Sequence, residues 1–337
     1  MFNLARQAIG CAVAAVLTLM AAVPAAAATI SPTVQVDNDL LAPINEDRDY
    51  TGGISMSLQL GSEPRGWHLD RLLGDLLARQ GGGVHRRSLQ LRVMAFTPGD
   101  LSASEIDHSD RPYASLWSLT GARLHVREDN GASDFAAVTV GILGLPATAT
   151  LHRAVHEWTG AVVPAGYEHQ VSAGGELTAR LAMAHRRRIV DGKEQRGGDL
   201  WLTFAGSVGY LTDLSIALTG RHGSAESPWW LSNADLADYG AAPEFGQRGQ
   251  GLELEYGVKL RLRGYNAFLQ GQWRHSDHTL GADDVRRFVG ETWLGASVGF
   301  RNGWRLRARL TAQSGEVRTG PAAQRHVWGS IAIARQG

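Results

Sequence analysis

The chain alternates apolar and polar residues with a period of two, over runs that are longer than an ordinary soluble strand. In the run 252–263, leucine, tyrosine and valine occupy one face, whereas glutamate, glycine, lysine and arginine occupy the other. Twelve residues in β geometry span about 40 Å, and strands of soluble domains usually contain about five or six residues. The same alternation recurs in 54–60, 88–93 and 304–312. The pattern predicts an all-β chain built from long strands.

A row of arginines on one strand face needs water or a partner, because an unpaired buried charge is costly. That face would be the outer surface of a soluble β-rich exported protein, or the polar lumen of a membrane barrel whose apolar face meets lipid. The long strands, the 41 glycines among 337 residues and the tryptophans in strand-like runs favour the barrel. We expect interfacial girdles from Trp117, Trp201, Trp273, Trp293, Trp304 and Trp328.

Thirteen runs are candidate strands, whereas bacterial single-chain barrels have an even number of strands. The runs are 33–38, 51–61, 87–96, 115–127, 135–143, 168–186, 199–209, 212–222, 251–263, 266–274, 289–301, 304–314 and 325–335. We therefore expect an antiparallel transmembrane β-barrel of twelve strands, with the misread run between residues 168 and 222. Two connections, 69–79 and 147–159, carry apolar residues at helical spacing, so short helices are expected in the loops. If the N-terminus is periplasmic, the first helix lies on the periplasmic side and the second on the outer side.

The first 28 residues have the pattern of a secretory signal peptide. Arg6 precedes an apolar run, and the alanines at 25–28 provide a cleavage site, so residues 29–337 would form the exported barrel domain. Cys11 is the single cysteine, which excludes disulfides and cysteine-ligated zinc. The 33 basic residues balance 33 acidic residues, which leaves no basic face for nucleic acid. We expect a monomer among outer-membrane lipids.

Acidic and amide side chains gather where the first two strands meet. Parity places Asp37 and Asp39 on the lumenal face of the first strand, and Thr51 on the lumenal face of the second. The connecting loop would bring these three residues together at one rim. Carboxylate and amide oxygens without cysteine are the ligands that calcium prefers. The alternative is a polar loop with ordinary Asp and Asn turn chemistry.

Two further groups could take part in a site. Arg111 and Tyr113 flank a rigid proline and could orient a site or bind a phosphate, or they could form a turn with an interfacial tyrosine. His152 and His156 are four residues apart on the second predicted helix and could bind zinc, although no third ligand is evident. A single histidine acting as a general base is better motivated, and a solvated helix histidine is the alternative.

Five motifs occur in a fixed order along residues 30–170. They are Asp37-Asn38-Asp39, then Asp49-Tyr50-Thr51-Gly52-Gly53-Ile54, then Asp110-Arg111-Pro112-Tyr113-Ala114, then a turn from Gly141 to Pro146 leading to Val155-His156, and then Pro164-Ala165-Gly166-Tyr167-Glu168-His169-Gln170. Together they resemble the LpxR family of outer-membrane lipid A deacylases. The resemblance implies a twelve-stranded barrel in the cell outer membrane that removes the 3′-linked acyloxyacyl group from lipid A of lipopolysaccharide and depends on calcium.

The resemblance also implies residue roles. Asn38, Asp39, Thr51 and His156 fall on family active-site positions. We expect His156 to take a proton from the attacking water and Asn38 and Thr51 to orient the metal, the water or the substrate. Asp39, with Asp37, is expected to hold calcium, which would polarise the ester carbonyl. Arg111 and Tyr113 are expected to contact the substrate.

The chain departs from the family pattern at several positions. Asp37, Gly52, Ser115 and Tyr167 stand where the family has Glu, Asn, Gly and Trp. The family also has a glutamate shortly after the histidine, and this place falls at Val162, so that Glu157 or Glu168 would have to substitute. The competing functions are a non-enzymatic barrel, either a small pore or a structural protein, and a phospholipase-like barrel.

Overall fold

Twelve antiparallel strands close into a barrel in this computed structural model, which describes residues 31–43, 48–60, 83–192, 198–224, 227–246 and 249–335. Each strand pairs with its neighbours in sequence, and β1 closes the barrel on β12. The strands are β1 (Ser31–Asn38), β2 (Asp49–Leu60), β3 (Val84–Thr97), β4 (Ala114–Arg127), β5 (Ala132–Leu143), β6 (Glu176–Val190), β7 (Asp199–Gly209), β8 (Leu211–Gly223), β9 (Gly251–Asn266), β10 (Phe288–Gly299), β11 (Trp304–Gln313) and β12 (His326–Arg335). The predicted fold class and strand number are confirmed.

The alternation in the sequence separates an apolar outer face from a polar lumen. In β9, Leu252 is 53% exposed on the outside, whereas Lys259, Arg261 and Arg263 are buried inside the barrel. Exposed apolar side chains recur around the outer wall, at Leu91, Val140, Leu177, Phe204, Val208, Leu214, Val258, Phe288 and Leu294. This arrangement suits a barrel whose wall meets lipid, because every strand also finds its backbone hydrogen-bond partners in its neighbours.

Two helices interrupt the strands among the described residues. Helix α1 (Ala147–Thr159) follows β5 as predicted, and it ends at Gly160, whose left-handed φ of 70° suits glycine. Helix α2 (Ala267–Gln270) follows β9 at the place where we had expected a strand over 266–274. Asn266 caps this short helix with its side chain, which accepts a hydrogen bond from the backbone of Phe268. The misread run was therefore this one, and the expectation that it lay between 168 and 222 is wrong.

The predicted signal peptide over 1–28 and the predicted helix over 69–79 lie outside the described residues. Within the described ranges, no helix has both the length and the apolar composition to cross a bilayer.

A segment between β8 and β9 fills the lumen. Its described residues, 227–246, are here called the plug, and all of them are buried or half-buried. The plug enters from the rim at which β1 begins and β12 ends. Arg186 donates hydrogen bonds to the carbonyls of Trp230 (3.0 Å) and Ser232 (2.6 Å), and Lys259 donates to the carbonyl of Ala237 (2.8 Å). Arg186 and Lys259 thus find in the peptide chain of the plug the partner that buried lumenal cations need.

The plug also changes the placement of the tryptophans. Trp201, Trp293 and Trp328 are at most 4% exposed and lie inside the barrel, not in a girdle. Trp201 packs on Trp229 of the plug, with ring centroids 5.8 Å apart. Trp273 lies in the loop after α2 and is 85% exposed. The girdle expectation is wrong for Trp201, Trp293 and Trp328, because their side chains lie in the lumen, where the plug offers tryptophan an apolar surface.

Candidate active site

A cleft lies between helix α1 and the outer side of the barrel wall. Val36, Ile54 and Val93, which point outward from β1, β2 and β3, line one side, and Leu151 and Val155 of α1 line the other. The cleft holds about 1110 Å³ of space, including its open mouth. Its walls are mainly apolar, so that it can accommodate a hydrocarbon chain.

The helix is fixed to the wall at its N-terminal end. Trp117 on β4 donates a hydrogen bond from its indole nitrogen to the hydroxyl of Thr148, 2.8 Å away. Thr148 and His156 are the buried residues of α1, whereas Leu151, Val155 and Trp158 are 40%, 44% and 65% exposed. The helix therefore presents one polar edge to the wall and leaves much of its apolar surface at the mouth of the cleft.

Asn38 and Thr51 line the wall side of the cleft. Asn38 ends β1, and its amide nitrogen donates to the carbonyl of Thr51 at 2.9 Å. The register of β2 shifts between Tyr50 and Gly52, which makes Thr51 the extra residue of a β-bulge. The hydroxyl of Thr51 is 2.6 Å from that of Thr97. The parity argument that placed Thr51 in the lumen is wrong, because the bulge turns its side chain to the cleft.

Gly52 is required by the close approach of β1 and β2. A Cβ atom at this position would lie 2.7 Å from the carbonyl oxygen of Asp37 and 3.1 Å from the amide nitrogen of Asn38. The asparagine that the family pattern has here would therefore not fit without a shift of the strand.

The two carboxylates that were predicted to hold calcium have different surroundings. Asp37 points into the lumen as predicted, where its carboxylate accepts hydrogen bonds from Gln35 (2.7 Å) and the hydroxyl of Tyr50 (3.1 Å), and Arg92 lies 4.0 Å away. This placement does not support Asp37 as a metal ligand, because its oxygens are engaged on the far side of the wall. Asp39 begins the short 3-10 turn Asp39–Leu41 directly after Asn38 and is 4% exposed.

His156 is 4% exposed and lines the cleft opposite Asn38 and Thr51. Its Nδ1 is 2.5 Å from the carbonyl oxygen of Val162. A carbonyl can only accept, so Nδ1 carries the proton and Nε2 is the basic nitrogen. Val162 is the position at which the family pattern has glutamate, and its main-chain carbonyl orients the imidazole here.

The two glutamates that were candidates to replace the family glutamate lie elsewhere. Glu157 is exposed on α1. Glu168 has a side chain that is 71% exposed, and it pairs with His169 at 3.4 Å.

His152 is a member of the cleft that the sequence analysis treated only as one half of a possible zinc pair. Its Nε2 is 2.7 Å from the Nε2 of His156, and its Nδ1 is 2.9 Å from the hydroxyl of Tyr167. Since His156 holds its proton on Nδ1, His152 donates from Nε2 and accepts from Tyr167 at Nδ1. Burial and the neighbouring His156 lower the pKa of His152 to about 3, so this imidazole is neutral near neutral pH.

The described residues contain no group of three or more His, Cys, Asp or Glu side chains that could hold a metal ion. A zinc site on the histidine pair would therefore lack a third protein ligand from these residue types in the described part of the chain.

Arg111 and Tyr113 do not line the cleft. Arg111 is 2% exposed, lies 3.3 Å from the carboxylate of Asp49 and stacks 4.8 Å above the ring of Phe96. The ring of Tyr113 packs on that of Tyr167, with centroids 4.7 Å apart. The predicted substrate contact is not supported, because both side chains are buried in contacts that hold the outer loops together.

The family motifs meet behind the cleft. Ser115, which replaces the glycine of the family pattern, donates to the side-chain oxygen of Gln170 at 2.8 Å. A Cβ atom at Gly166 would lie 2.7 Å from the ring of Tyr113. The loop that carries Tyr167 is thus packed against the start of β4, and Tyr167 in turn bonds His152. No single motif predicts this convergence, because it depends on loops that are distant in sequence.

The family model that matches the chain is described as outer membrane protein LpxR, and the match extends over residues 10–336. In structure, the chain is similar to LpxR from Salmonella typhimurium, with a TM-score of 0.71 and 16% identity, over 90% of this chain and 99% of that one. It is less similar to the translocator domain of autotransporter NalP from Neisseria meningitidis, with a TM-score of 0.44 and 9% identity, over 96% of this chain and 93% of that one. A search of curated proteins finds no match.

Proposed function

Since the chain belongs to the LpxR family of outer-membrane proteins, we propose that it is a lipid A deacylase that hydrolyses the ester of the 3′-linked acyloxyacyl group. The observation that carries the proposal is the cleft on the outside of the wall, where His156 faces Asn38 and Thr51 between apolar surfaces. A lipid ester needs these two properties together, namely an apolar surface for its chains and a base beside its carbonyl.

The position of the cleft suits a lipid of the outer leaflet. The cleft lies at the rim where β1 ends and β2 begins, and the two ends of the barrel, Ser31 and Arg335, lie at the opposite rim. With those ends in the periplasm, the cleft opens at the outer leaflet, where lipid A resides. Val36, Ile54 and Val93 belong both to the lipid-facing wall and to the cleft, so an acyl chain can enter sideways from the membrane.

In the proposed reaction, His156 acts as the general base. Its Nδ1–H stays on the Val162 carbonyl, and its Nε2 takes a proton from water as the water oxygen attacks the ester carbonyl. His152 donates to that Nε2 in the resting arrangement and has to release it before water can bind there. When the ester C–O bond breaks, the leaving alkoxide of lipid A takes the proton from His156, and the acyloxyacyl group leaves as a carboxylic acid.

We also propose calcium as the cofactor. Asp39, Asn38 and Thr51 would hold the ion through oxygen atoms, which are the donors that calcium takes, with one carboxylate among them. Such a site would be completed by main-chain and water oxygens, because the described residues offer no group of three or more His, Cys, Asp or Glu side chains that could hold the ion. Calcium bound there would polarise the ester carbonyl and stabilise the developing oxyanion.

The pore alternative is less well supported, because the described plug residues occupy the lumen and are bonded to its walls through Arg186 and Lys259. The phospholipase alternative uses the same cleft and the same base, so only the choice of substrate separates it from a lipid A deacylase.

The test is mass spectrometry of lipid A after incubation with the purified barrel in detergent and calcium, beside a parallel incubation with phosphatidylethanolamine. Loss of the 3′-linked acyloxyacyl mass from lipid A supports the proposal. Cleavage of the glycerophospholipid alone would select the phospholipase alternative. Conductance in planar bilayers with neither ester cleaved would select the pore.

A further inference from the structure

The tip of the plug, formed by Tyr239 and Gly240, lies against the lumenal face of β1 and β2. The outer face of these two strands carries the candidate site. Asp37 and Asn38 are neighbours on opposite faces of β1, and Tyr50 and Thr51 are neighbours on opposite faces of β2. The lumenal member of each pair contacts the plug or a residue that the plug holds. We propose that Tyr239 and Gly240 are positioning residues, which fix Asn38 and Thr51 in the cleft through Asp37 and Tyr50. This inference rests on the proposed function.

Arg92 joins the plug to the wall. It donates to the carbonyl of Asp238 at 2.7 Å and to the carbonyl of Tyr239, and it also donates to the hydroxyl of Tyr50 at 3.0 Å. Tyr50 in turn donates to Asp37 at 3.1 Å. The buried guanidinium of Arg92 therefore links the backbone of the plug to Tyr50 and, through Tyr50, to Asp37.

Gly240 contacts Asp37 directly. Its φ is +105°, and a Cβ atom there would lie 2.5 Å from the carboxylate carbon of Asp37 and 2.6 and 2.7 Å from the two carboxylate oxygens. The backbone of the plug at Gly240 thus packs directly against the carboxylate of Asp37. A side chain at this position would displace the carboxylate of Asp37, the residue directly before Asn38 in β1.

Tyr239 holds the tip in place. It adopts a left-handed φ of 50°, which a bulky residue takes only when its surroundings enforce it. Its hydroxyl donates to Glu316 at 2.6 Å and accepts from Asn266 at 3.1 Å. Its ring packs on Phe96 and Tyr50, with centroids 4.8 and 5.6 Å away. The tip is therefore held from β3, from β9 and from the outer loop after β11.

The position of this wall matters because catalysis depends on geometry. A reacting constellation has to be held within about 0.5 Å, and a displacement of about 1 Å can lower a rate about 100-fold. Asn38 and Thr51 belong to a wall that is a single β-sheet layer. Contacts on the lumenal face of this layer therefore influence the position of residues on its outer face. The plug does not line the cleft, and its effect should therefore be on turnover, with little effect on substrate binding.

The experiment compares G240A with G246A in the purified full-length barrel. Both glycines lie in the plug and have nearly the same φ, +105° and +102°, so alanine is strained by a left-handed φ at each. At Gly246 the new Cβ would meet the side chain of Gln59, at the far end of β2 from Thr51. We expect G240A to lower kcat for lipid A about tenfold or more with KM within about twofold, and G246A to leave both constants near those of the wild type.

Unchanged kcat in folded G240A, or an equal loss in G246A, would overturn the inference. Folding is checked by the heat-modified migration of the barrel in gels. If G240A does not fold, Y50F decides, since it removes only the hydroxyl between Arg92 and Asp37, and we expect a severalfold fall in kcat. Unchanged turnover in Y50F would then overturn the inference.

A wild-type barrel without activity would refute the proposed function but not the positioning. Faster hydrogen exchange of the amides around Asn38 and Thr51 in G240A than in G246A would then support the positioning, and equal exchange would overturn it.

Discussion

The lumen and the cleft lie on opposite sides of one wall, and they use polar groups in different ways. The lumen is rich in charge, and its cations are bonded to the plug, as Arg186 is to Asp235 at 2.9 Å and to two backbone carbonyls. The cleft has few polar groups among apolar walls, and within the described part of the chain its imidazoles bond to each other, to one tyrosine and to one carbonyl. Dense charge therefore marks the region that holds the barrel together, whereas the proposed reactive groups lie where charge is scarce.

The strongest test of this comparison is H156A. Loss of a general base typically lowers a rate about 10²- to 10⁴-fold, and we expect a loss in this range without a change in the folded barrel. Mass spectrometry of lipid A from cells that express the variant measures the effect. The matched control is H169A, because His169 also lies in the outer loop after β5 but pairs with Asp277 outside the cleft. Full trimming of lipid A by H156A would remove this residue from the mechanism.

The lumenal side of the comparison is tested by R186A. Arg186 and Asp235 are both fully buried, and removal of one partner of a buried ion pair costs about 3–5 kcal/mol because the other charge is left without compensation. We expect the free energy of unfolding in denaturant to fall by about this amount, while the activity of each folded barrel changes little. R301A in the exposed turn before β11 is the control and should change stability by less than about 0.5 kcal/mol. Equal stability of R186A and R301A would contradict a structural role for the lumenal charges.

The difference between the lumen and the cleft can also be tested at Asp39 and Asp37, which are two residues apart in the sequence. We expect D39N to raise the calcium concentration for half-maximal activity about tenfold or more, because it removes the one carboxylate of the proposed site. D37N changes a carboxylate on the lumenal side, so we expect its calcium requirement to stay within about twofold of the wild type. Calcium titration of initial rates measures both. If D37N raised the calcium concentration for half-maximal activity more than D39N does, the ion would lie on the lumenal side of the wall, and this would contradict the proposed mechanism.

The sequence predicts the barrel well because period-two alternation is a local property that the membrane enforces on every strand. It fails at 266–274, where Asn266 caps a helix through a side-chain bond that the apolar residues after it do not reveal. It also fails for Trp201 and Trp328, because alternation shows which face is apolar but not whether that face meets lipid or the plug. The sequence of the plug has no regular alternation of apolar and polar residues from which a lumenal segment could be predicted. Its Trp229-Trp230-Leu231 run is nevertheless too apolar for an exposed loop.

The site is predicted less completely, because it forms where the local pattern breaks. Parity gives the correct side for Asp37 but not for Thr51, since the bulge adds a residue that the sequence does not mark. The role of Val162 is unreadable from its side chain, because a main-chain carbonyl orients His156 there. The spacing of His152 and His156 does signal a pair, but the nature of the pair depends on Tyr167, which comes from a separate loop.

The docking of the helix that forms the cleft should also depend on pH. Since the pKa of His152 is about 3 in the folded protein and 6.5 in an unperturbed histidine, the undocked helix binds a proton that the docked helix does not. The free energy that holds α1 on the wall should therefore be unaffected above pH 6.5 and fall by about 1.4 kcal/mol for each pH unit below it, down to about pH 3. Hydrogen exchange of the α1 amides, corrected for intrinsic rates, measures this loss. H152Q removes the titrating group and should abolish the extra loss between pH 6.5 and 4, so an identical pH dependence in the variant and the wild type would show that the imidazole pair does not hold the helix.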